Sequence, residues 1–235
     1  MKSYFTFFIM LATTLVQIGI TQDNYYEVQL QIPSIQPFDY FGTDVGISGN
    51  NAAVFGRDSV FFYYTEGENW INSRSWSSNL YSHSTSKHIH LNDDLCIIGC
   101  DLDGNGSFFL LEKTDQNWVE QFSYICMENG VHNFGMNVFL SDSLVLAKAV
   151  YDFFPNARGK VYIFRKQDNT WNLEASFLSP NSSNGDKFGS GLFIDGERAF
   201  IGAEIQSIPE VGDSIGAVYE FSYLEGEWNL ENTIL

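Results

Sequence analysis

Phe188-Gly189-Ser190-Gly191-Leu192-Phe193-Ile194, then Ala199-Phe200-Ile201-Gly202-Ala203, then Gly216-Ala217-Val218-Tyr219-Glu220-Phe221, and last Trp228-Asn229-Leu230-Glu231 form the stretch that decides the fold. The first pair of runs is joined by Asp195-Gly196-Glu197 and the last pair by Glu225-Gly226-Glu227. Asp-Gly and Glu-Gly between apolar runs are hairpin signals, because glycine takes the positive φ that a tight connection demands. The stretch therefore reads as a four-stranded antiparallel meander.

The same plan recurs upstream. Gly106-Ser107-Phe108-Phe109-Leu110-Leu111 leads to Trp118, Gly159-Lys160-Val161-Tyr162-Ile163-Phe164 to Trp171, and Asp58-Ser59-Val60-Phe61-Phe62-Tyr63 to Trp70. In all four copies the tryptophan follows twelve residues after the first residue of the run, whereas successive copies begin 48, 53 and 57 residues apart. A fixed interval inside a variable period marks a repeated hairpin whose connecting loops vary in length, and periods of this size belong to propellers and arrays. The first copy also keeps Phe41-Gly42, and the third keeps Phe134-Gly135. The second has Thr85-Ser86 at that place, which makes its first strand the weakest of the set.

Val161-Tyr162-Ile163-Phe164 and Phe61-Phe62-Tyr63-Tyr64 are apolar at successive positions, so both faces of these strands are covered. Propeller blades are covered on both faces by their neighbours, while a two-layer sandwich leaves one face of each sheet wet. The expected fold is all-β, a propeller of four-stranded antiparallel blades, with repeats near residues 38–76, 83–126, 132–177 and 186–232 in a domain spanning 22–235. Four repeats sit at the lower limit for closing a ring. A small closed ring, an open arc completed by a second copy in a homodimer, and part of a larger propeller all stay open. Tyr25-Tyr26-Glu27-Val28-Gln29-Leu30 reads as one extra outer strand.

Phe-Gly, Gly-Ala, Gly-x-Val-Tyr-x-Phe and a closing tryptophan, best matched at Phe188-Gly189, Gly202-Ala203 and Gly216 to Phe221, resemble FG-GAP repeats, the blades of the integrin alpha-subunit propeller and of many secreted microbial proteins. The likeness covers roughly residues 25–235. It implies a ligand-binding propeller, usually seven-bladed in that family and often holding calcium in acidic loops.

Met1-Lys2 followed by the apolar run Tyr4 to Ala12 reads as a secretory signal peptide over residues 1–21, interrupted too early by Thr13, Thr14 and Gln17 to span a bilayer. The mature protein is expected outside the cell. With 12 basic against 29 acidic residues and a formal net charge of −17, the surface repels phosphate backbones and anionic headgroups, which excludes nucleic acid as the expected partner. In an oxidising compartment Cys96, Cys100 and Cys126 leave one thiol unpaired, and a bridge from Cys126 to Cys96 or to Cys100 is expected.

Asp101-Leu102-Asp103-Gly104-Asn105-Gly106 with Glu112 has the spacing of an EF-hand loop, but Ser107 to Leu111 is a repeat strand and carries Glu112 about 20 Å away at about 3.3 Å per residue. Asp101, Asp103 and Asn105 remain as a partial calcium shell that water would complete; an Asp/Asn/Gly turn needs no metal. Asn105-Gly106-Ser107 and Asn181-Ser182-Ser183 are glycosylation sequons. His88 and His90 share one face of a strand without a visible third ligand, and Asp93-Asp94 fit a turn. No nucleophile elbow, zinc-binding His-Glu-x-x-His or phosphate loop occurs, so no catalytic residue and no certain cofactor is assigned. The expected function is a secreted, non-catalytic adhesion module that recognises an extracellular protein or glycan through its propeller loops. The alternative is an extracellular polysaccharide hydrolase or lyase working from carboxylates on the propeller axis.

Overall fold

The computed structural model describes residues 15–19, 27–31, 41–56, 59–77, 87–100, 106–151, 158–180, 185–205 and 215–235. All regular structure among these residues is strand. After the hairpin β1 (Leu15–Gly19) and β2 (Glu27–Gln31) come four blades. Blade one is β3 (Val45–Ser48), β4 (Asn51–Phe55), β5 (Val60–Glu66) and β6 (Asn69–Trp76). Blade two is β7 (Lys87–Asn92), β8 (Leu95–Cys100), β9 (Ser107–Thr114) and β10 (Asn117–Ile125). In blade three the first strand is broken into β11 (Val131–His132) and β12 (Val138–Leu140), both paired to β13 (Leu144–Tyr151), followed by β14 (Arg158–Gln167) and β15 (Thr170–Leu178). Blade four is β16 (Phe188–Asp195), β17 (Arg198–Ala203), β18 (Ala217–Leu224) and β19 (Glu227–Ile234).

Each blade is an antiparallel meander in sequence order, and the first strands of consecutive blades, β3, β7, β12 and β16, lie beside one another. That is propeller geometry, with four first strands innermost. The blade expected to be weakest is whole over its described residues: β7 pairs with β8 from Lys87↔Cys100 to Asn92↔Leu95. All four outer hairpins carry a register shift, between Phe61 and Tyr63, Glu120 and Phe122, Ile163 and Phe164, and Glu220 and Phe221. A bulge adds local twist, and repeating it at one place in every blade keeps the outer strands turned alike.

Apolar cores fill the three spaces between blades. Phe62, Ile98, Phe109 and Trp118 join blades one and two; Phe108, Phe134, Tyr162 and Trp171 join two and three; Leu146, Ile163, Phe188 and Tyr219 join three and four. The repeated tryptophan faces the preceding blade. Trp118 stacks on Phe62 at 4.7 Å between ring centres, Trp171 is buried against blade two, and Trp228 donates a 2.7 Å hydrogen bond to Glu174 of blade three.

The glycine that opens the repeated hairpin has a different task. A Cβ on Gly106 would stand 2.0 Å from the carbonyl oxygen of Phe134, and one on Gly159 would stand 2.1 Å from that of Phe188. The opening glycine of one blade thus receives the Phe-Gly backbone of the next at a distance no other residue allows.

The extra strand departs from its expected role. β2 pairs with β1, residues that fall inside the expected leader, and β2 lies along β6. Blade four also departs from double coverage: on β17 exposure alternates, with Ala199, Ile201 and Ala203 buried towards blade three and Arg198, Phe200 and Gly202 turned the other way. No strand pair of blades four and one packs as consecutive blades do among the described residues.

Candidate functional site

The axis is the first place to seek chemistry, because the innermost strands converge there. Their polar side chains are taken up by latches between blades. Asp44 Oδ2 accepts a 2.7 Å hydrogen bond from Ile89 N and lies 3.6 Å from His88 Nδ1, tying blade one to blade two. Leu140 N donates to His90 Nδ1 at 3.3 Å, tying two to three, with the His90 ring 4.1 Å from that of Phe139. Burial holds the His90 imidazole below its ordinary 6.5, which suits a ring nitrogen that must accept. Asn137 Nδ2 donates to Gly189 O at 3.0 Å and to Ser190 O at 3.2 Å, tying three to four.

In a meander the first and third turns lie at one end, and this end forms an acidic rim. Asp93, Asp94, Asp115, Asp142, Asp168 and Glu225 are exposed there. Asp93, Asp115, Asp168 and Glu225 have positive φ, which fits Asp93-Asp94 as the expected turn. Lacing again crosses each junction: Asp93 N donates to Ser48 Oγ at 2.9 Å, Asn92 Nδ2 to Asp142 Oδ1 at 2.5 Å, and Arg165 grips Glu197 at 3.0 and 2.8 Å. Arg165 also donates to Glu174 at 2.5 Å and lies over the Tyr223 ring at 4.4 Å; the bonds to Glu197 and Glu174 outweigh burial and raise its pKa.

Close to this rim, between blades two and three, is a cavity of about 280 Å³. Leu95, Leu110, Leu111 and Trp171 line it together with Glu112, Gln121, Lys166 and Asn169. The Lys166 ammonium lies 5.9 Å from the Trp171 ring centre. Ligand sites usually have mostly apolar walls and volumes of about 300–1,000 Å³; this cavity is just below that range and its lining is predominantly polar.

At the opposite end, Glu128 receives Lys160 Nζ at 2.5 Å and Tyr162 Oη at 2.6 Å. Burial raises the Glu128 carboxyl, but the hydrogen bonds from Lys160 and Tyr162 and the Lys160 charge outweigh it, so its pKa lies below the ordinary value. Lys160 sits against the faces of Tyr151 and Tyr162, 5.4 and 4.9 Å from their centres. Lys148 is buried at the joint of blades three and four, and burial lowers its pKa. Asp186, also buried, caps Phe188 N at 2.9 Å through Oδ1.

The sites singled out in the sequence fare unequally. Asp101, Asp103, Asn105 and Asn181 lie outside the described residues. Ser107, the third residue of the first sequon, is buried with Oγ 3.2 Å from Cys100 Sγ. The expected disulfide is corrected: Cys96, Cys100 and Cys126 are buried and not bridged to one another. Cys96 and Cys100 point into the core shared with blade one, while Cys126 lies in the core shared with blade three, so the sheet of blade two stands between them. His88 and His90 have separate partners, and no three His, Cys, Asp or Glu side chains among the described residues converge to hold a metal. The latch residues Asp44 and Asn137 escaped sequence reading, and His90 was visible only as one of a histidine pair, because the three occupy different places in their repeats.

No protein-family model and no curated protein matches the chain. Among solved structures it is similar to a protein from Lactobacillus plantarum, with 11% identity and a TM-score of 0.49 over 95% of this chain and 67% of that one. It is similar to a GH32 beta-fructofuranosidase of Bombyx mori, with 12% identity and a TM-score of 0.40 over 88% of this chain and 53% of that one. A GH43 beta-1,3-galactosidase gives 14% identity and a TM-score of 0.41 over 94% of this chain and 50% of that one. The chain thus spans two thirds of the first and about half of the other two. Likenesses of this degree carry no inference about activity.

Proposed function

We propose that this chain is an extracellular recognition module of FG-GAP kinship, binding a glycan or a polar protein segment at its acidic rim. The observation that carries the reading is the cavity between blades two and three, where Glu112, Gln121, Lys166 and Asn169 converge beside Leu95, Leu110 and Trp171. Its volume suits one sugar ring or one inserted side chain, and its mix of carboxylate, amides and ammonium suits a hydroxyl-rich or polar ligand. The leader-like sequence of residues 1–21 and the net charge of −17 support an extracellular setting and neutral or basic partners. The Phe-Gly joints at Gly106 and Gly159 support the kinship, because they give its defining dipeptide a physical task.

Calorimetry against a panel of extracellular glycans and matrix proteins tests this. Gln121→Ala with Asn169→Ala should weaken any binding by about tenfold, the worth of one to two polar contacts. Binding unchanged by the double substitution would remove the cavity from the proposal.

A second reading, a polysaccharide hydrolase or lyase, rests on Asp44, a carboxylate at the head of the innermost strand of blade one with an imidazole 3.6 Å away. Turnover of an extracellular polysaccharide that disappears in Asp44→Asn, in a protein that still melts cooperatively, would replace the binding reading with this one.

A further inference from the structure

The three joints between blades can be compared at one place, the rim end where the cavity lies. There each joint is built from the seventh residue of the repeated run in one blade and from the eighth residue and the tryptophan of the next. These are Tyr64 with Lys113 and Trp118, Glu112 with Lys166 and Trp171, and Arg165 with Tyr223 and Trp228. The second strand of the first blade sets Asn51, Leu95 or Leu144 opposite that seventh residue. In the second and third joints the residue left unpaired by the bulge of the outer strand, Gln121 or Glu174, adds its side chain.

Two of the joints close with groups of their own. Between blades one and two, Lys113 Nζ donates to Asn51 Oδ1 at 2.7 Å and lies 6.0 Å from the Tyr64 ring centre. Between blades three and four, Glu174 accepts from Arg165 Nε at 2.5 Å and from Trp228 Nε1 at 2.7 Å, and the guanidinium lies 4.4 Å from the Tyr223 ring centre. The middle joint has neither arrangement. Leu95 stands where Asn51 would receive the ammonium, Gln121 where Glu174 would supply a carboxylate, and Glu112 where Arg165 would supply a cation. Among the described residues the half-buried Glu112 carboxylate and Lys166 ammonium have no ion-pair or hydrogen-bond partner, in each other or elsewhere. Both line the cavity of about 280 Å³.

We propose, resting on the recognition reading of this cavity, that the middle joint binds a small zwitterion. Its ammonium is set against Glu112, its carboxylate against Lys166 and its polar body against Gln121 and Asn169. A charge partly withdrawn from water needs a partner of opposite sign, and here the chain presents one charge of each sign and closes neither. A simple anion would satisfy Lys166 and crowd Glu112; a simple cation would do the reverse. The net charge of −17 also repels a simple anion at long range, whereas a zwitterion arrives without net charge. Two kinds of small molecule carry this chemistry, a free polar amino acid and a sugar unit with both an amine and a carboxylate.

Calorimetry with serine and with muramic acid separates these two sources, at about pH 6, where carboxylates and amines are both charged. N-acetylserine and N-acetylmuramic acid keep only the carboxylate, serine amide and glucosamine keep only the ammonium, and glucose has neither. At least one zwitterion should bind, and loss of either of its charges should weaken binding by about tenfold or more, the worth of one hydrogen bond to a charged group. Glu112→Gln should lower the affinity for the zwitterion to that of its carboxylate-only relative, and Lys166→Met to that of its ammonium-only relative. Unchanged melting of both variants checks the fold, and the comparison among ligands stands without them. Glucose or an N-acetylated relative bound as tightly as its zwitterion overturns the proposal while sparing recognition at the cavity. Failure of serine and muramic acid alike at millimolar concentration overturns it too, and again spares the recognition reading if a glycan or protein segment still binds through Gln121 and Asn169. If neither they nor the wider panel bind, both readings fall.

Discussion

Gly106→Ala tests the joint inside the arc. Gly106 has φ of +81°, and its Cβ would lie 2.0 Å from Phe134 O and 2.5 Å from Phe134 N, whereas ordinary contact begins at 3.4 Å. The backbone of blade three, or β9 itself, must retreat by more than 1 Å. Two effects add: a non-glycine residue in the left-handed region costs about 1–3 kcal/mol, and overpacking a close contact costs a further 1–3 kcal/mol or so. Gly67→Ala separates them, because Gly67 has φ of +62° and, among the described residues, nothing within 4 Å. That variant bears only the backbone term. The difference between the two, about 2 kcal/mol, corresponds to about 4–8 °C in Tm for a domain of this size. Thermal unfolding by circular dichroism, at a concentration where the chain is monomeric, measures both. Equal losses in Gly106→Ala and Gly67→Ala would refute the joint, and would reduce the repeated glycine to a turn residue.

Two further outcomes follow from the buried polar groups. The folded His90 ring has its pKa lowered by burial from 6.5, so below pH 6.5 the unfolded chain takes up the proton first and stability falls as pH drops towards the folded value. Melting between about pH 7.5 and about pH 5.5 should show a loss that His90→Gln flattens; an unchanged slope would mean that the latch to Leu140 does not require the neutral ring. Lys160→Met should cost about 1 kcal/mol at neutral pH, discounted because Glu128 is partly exposed. The Glu128 carboxyl has a lowered folded pKa, so its contribution is present above the ordinary value of 4.5 and is lost as pH falls. The penalty of Lys160→Met should therefore shrink in acid, and denaturant titrations at two pH values would reveal a constant penalty if the pair were irrelevant.

Much of the frame was legible because hairpins are local. Glu225-Gly226-Glu227 fixes its turn with three residues, and the four strands of blade four follow in order from runs that sequence alone delimits. The tryptophans were legible as packing residues for the same reason, since each lies at a fixed register on its hairpin. The opening glycines were visible as a pattern without a cause. Their reason is a backbone from the next blade, 28 residues on for Gly106 and Phe134, and no local spacing encodes so close an approach.

The cysteines show the limit most plainly. An odd count in an oxidising compartment made a bridge from Cys126 reasonable, but whether two thiols meet depends on which face of a sheet each occupies. Cys96 and Cys100 look towards blade one, and Cys126 looks towards blade three. The axial latches follow the same logic. Asp44, His90 and Asn137 are unrelated in sequence and become a series only when the first strands lie side by side. Repetition alone specified four meanders, because each rests on contacts within about forty residues. Whether the ring closes, which thiols meet and where a cavity opens are relations between blades, and only packing of one whole sheet on the next decides them.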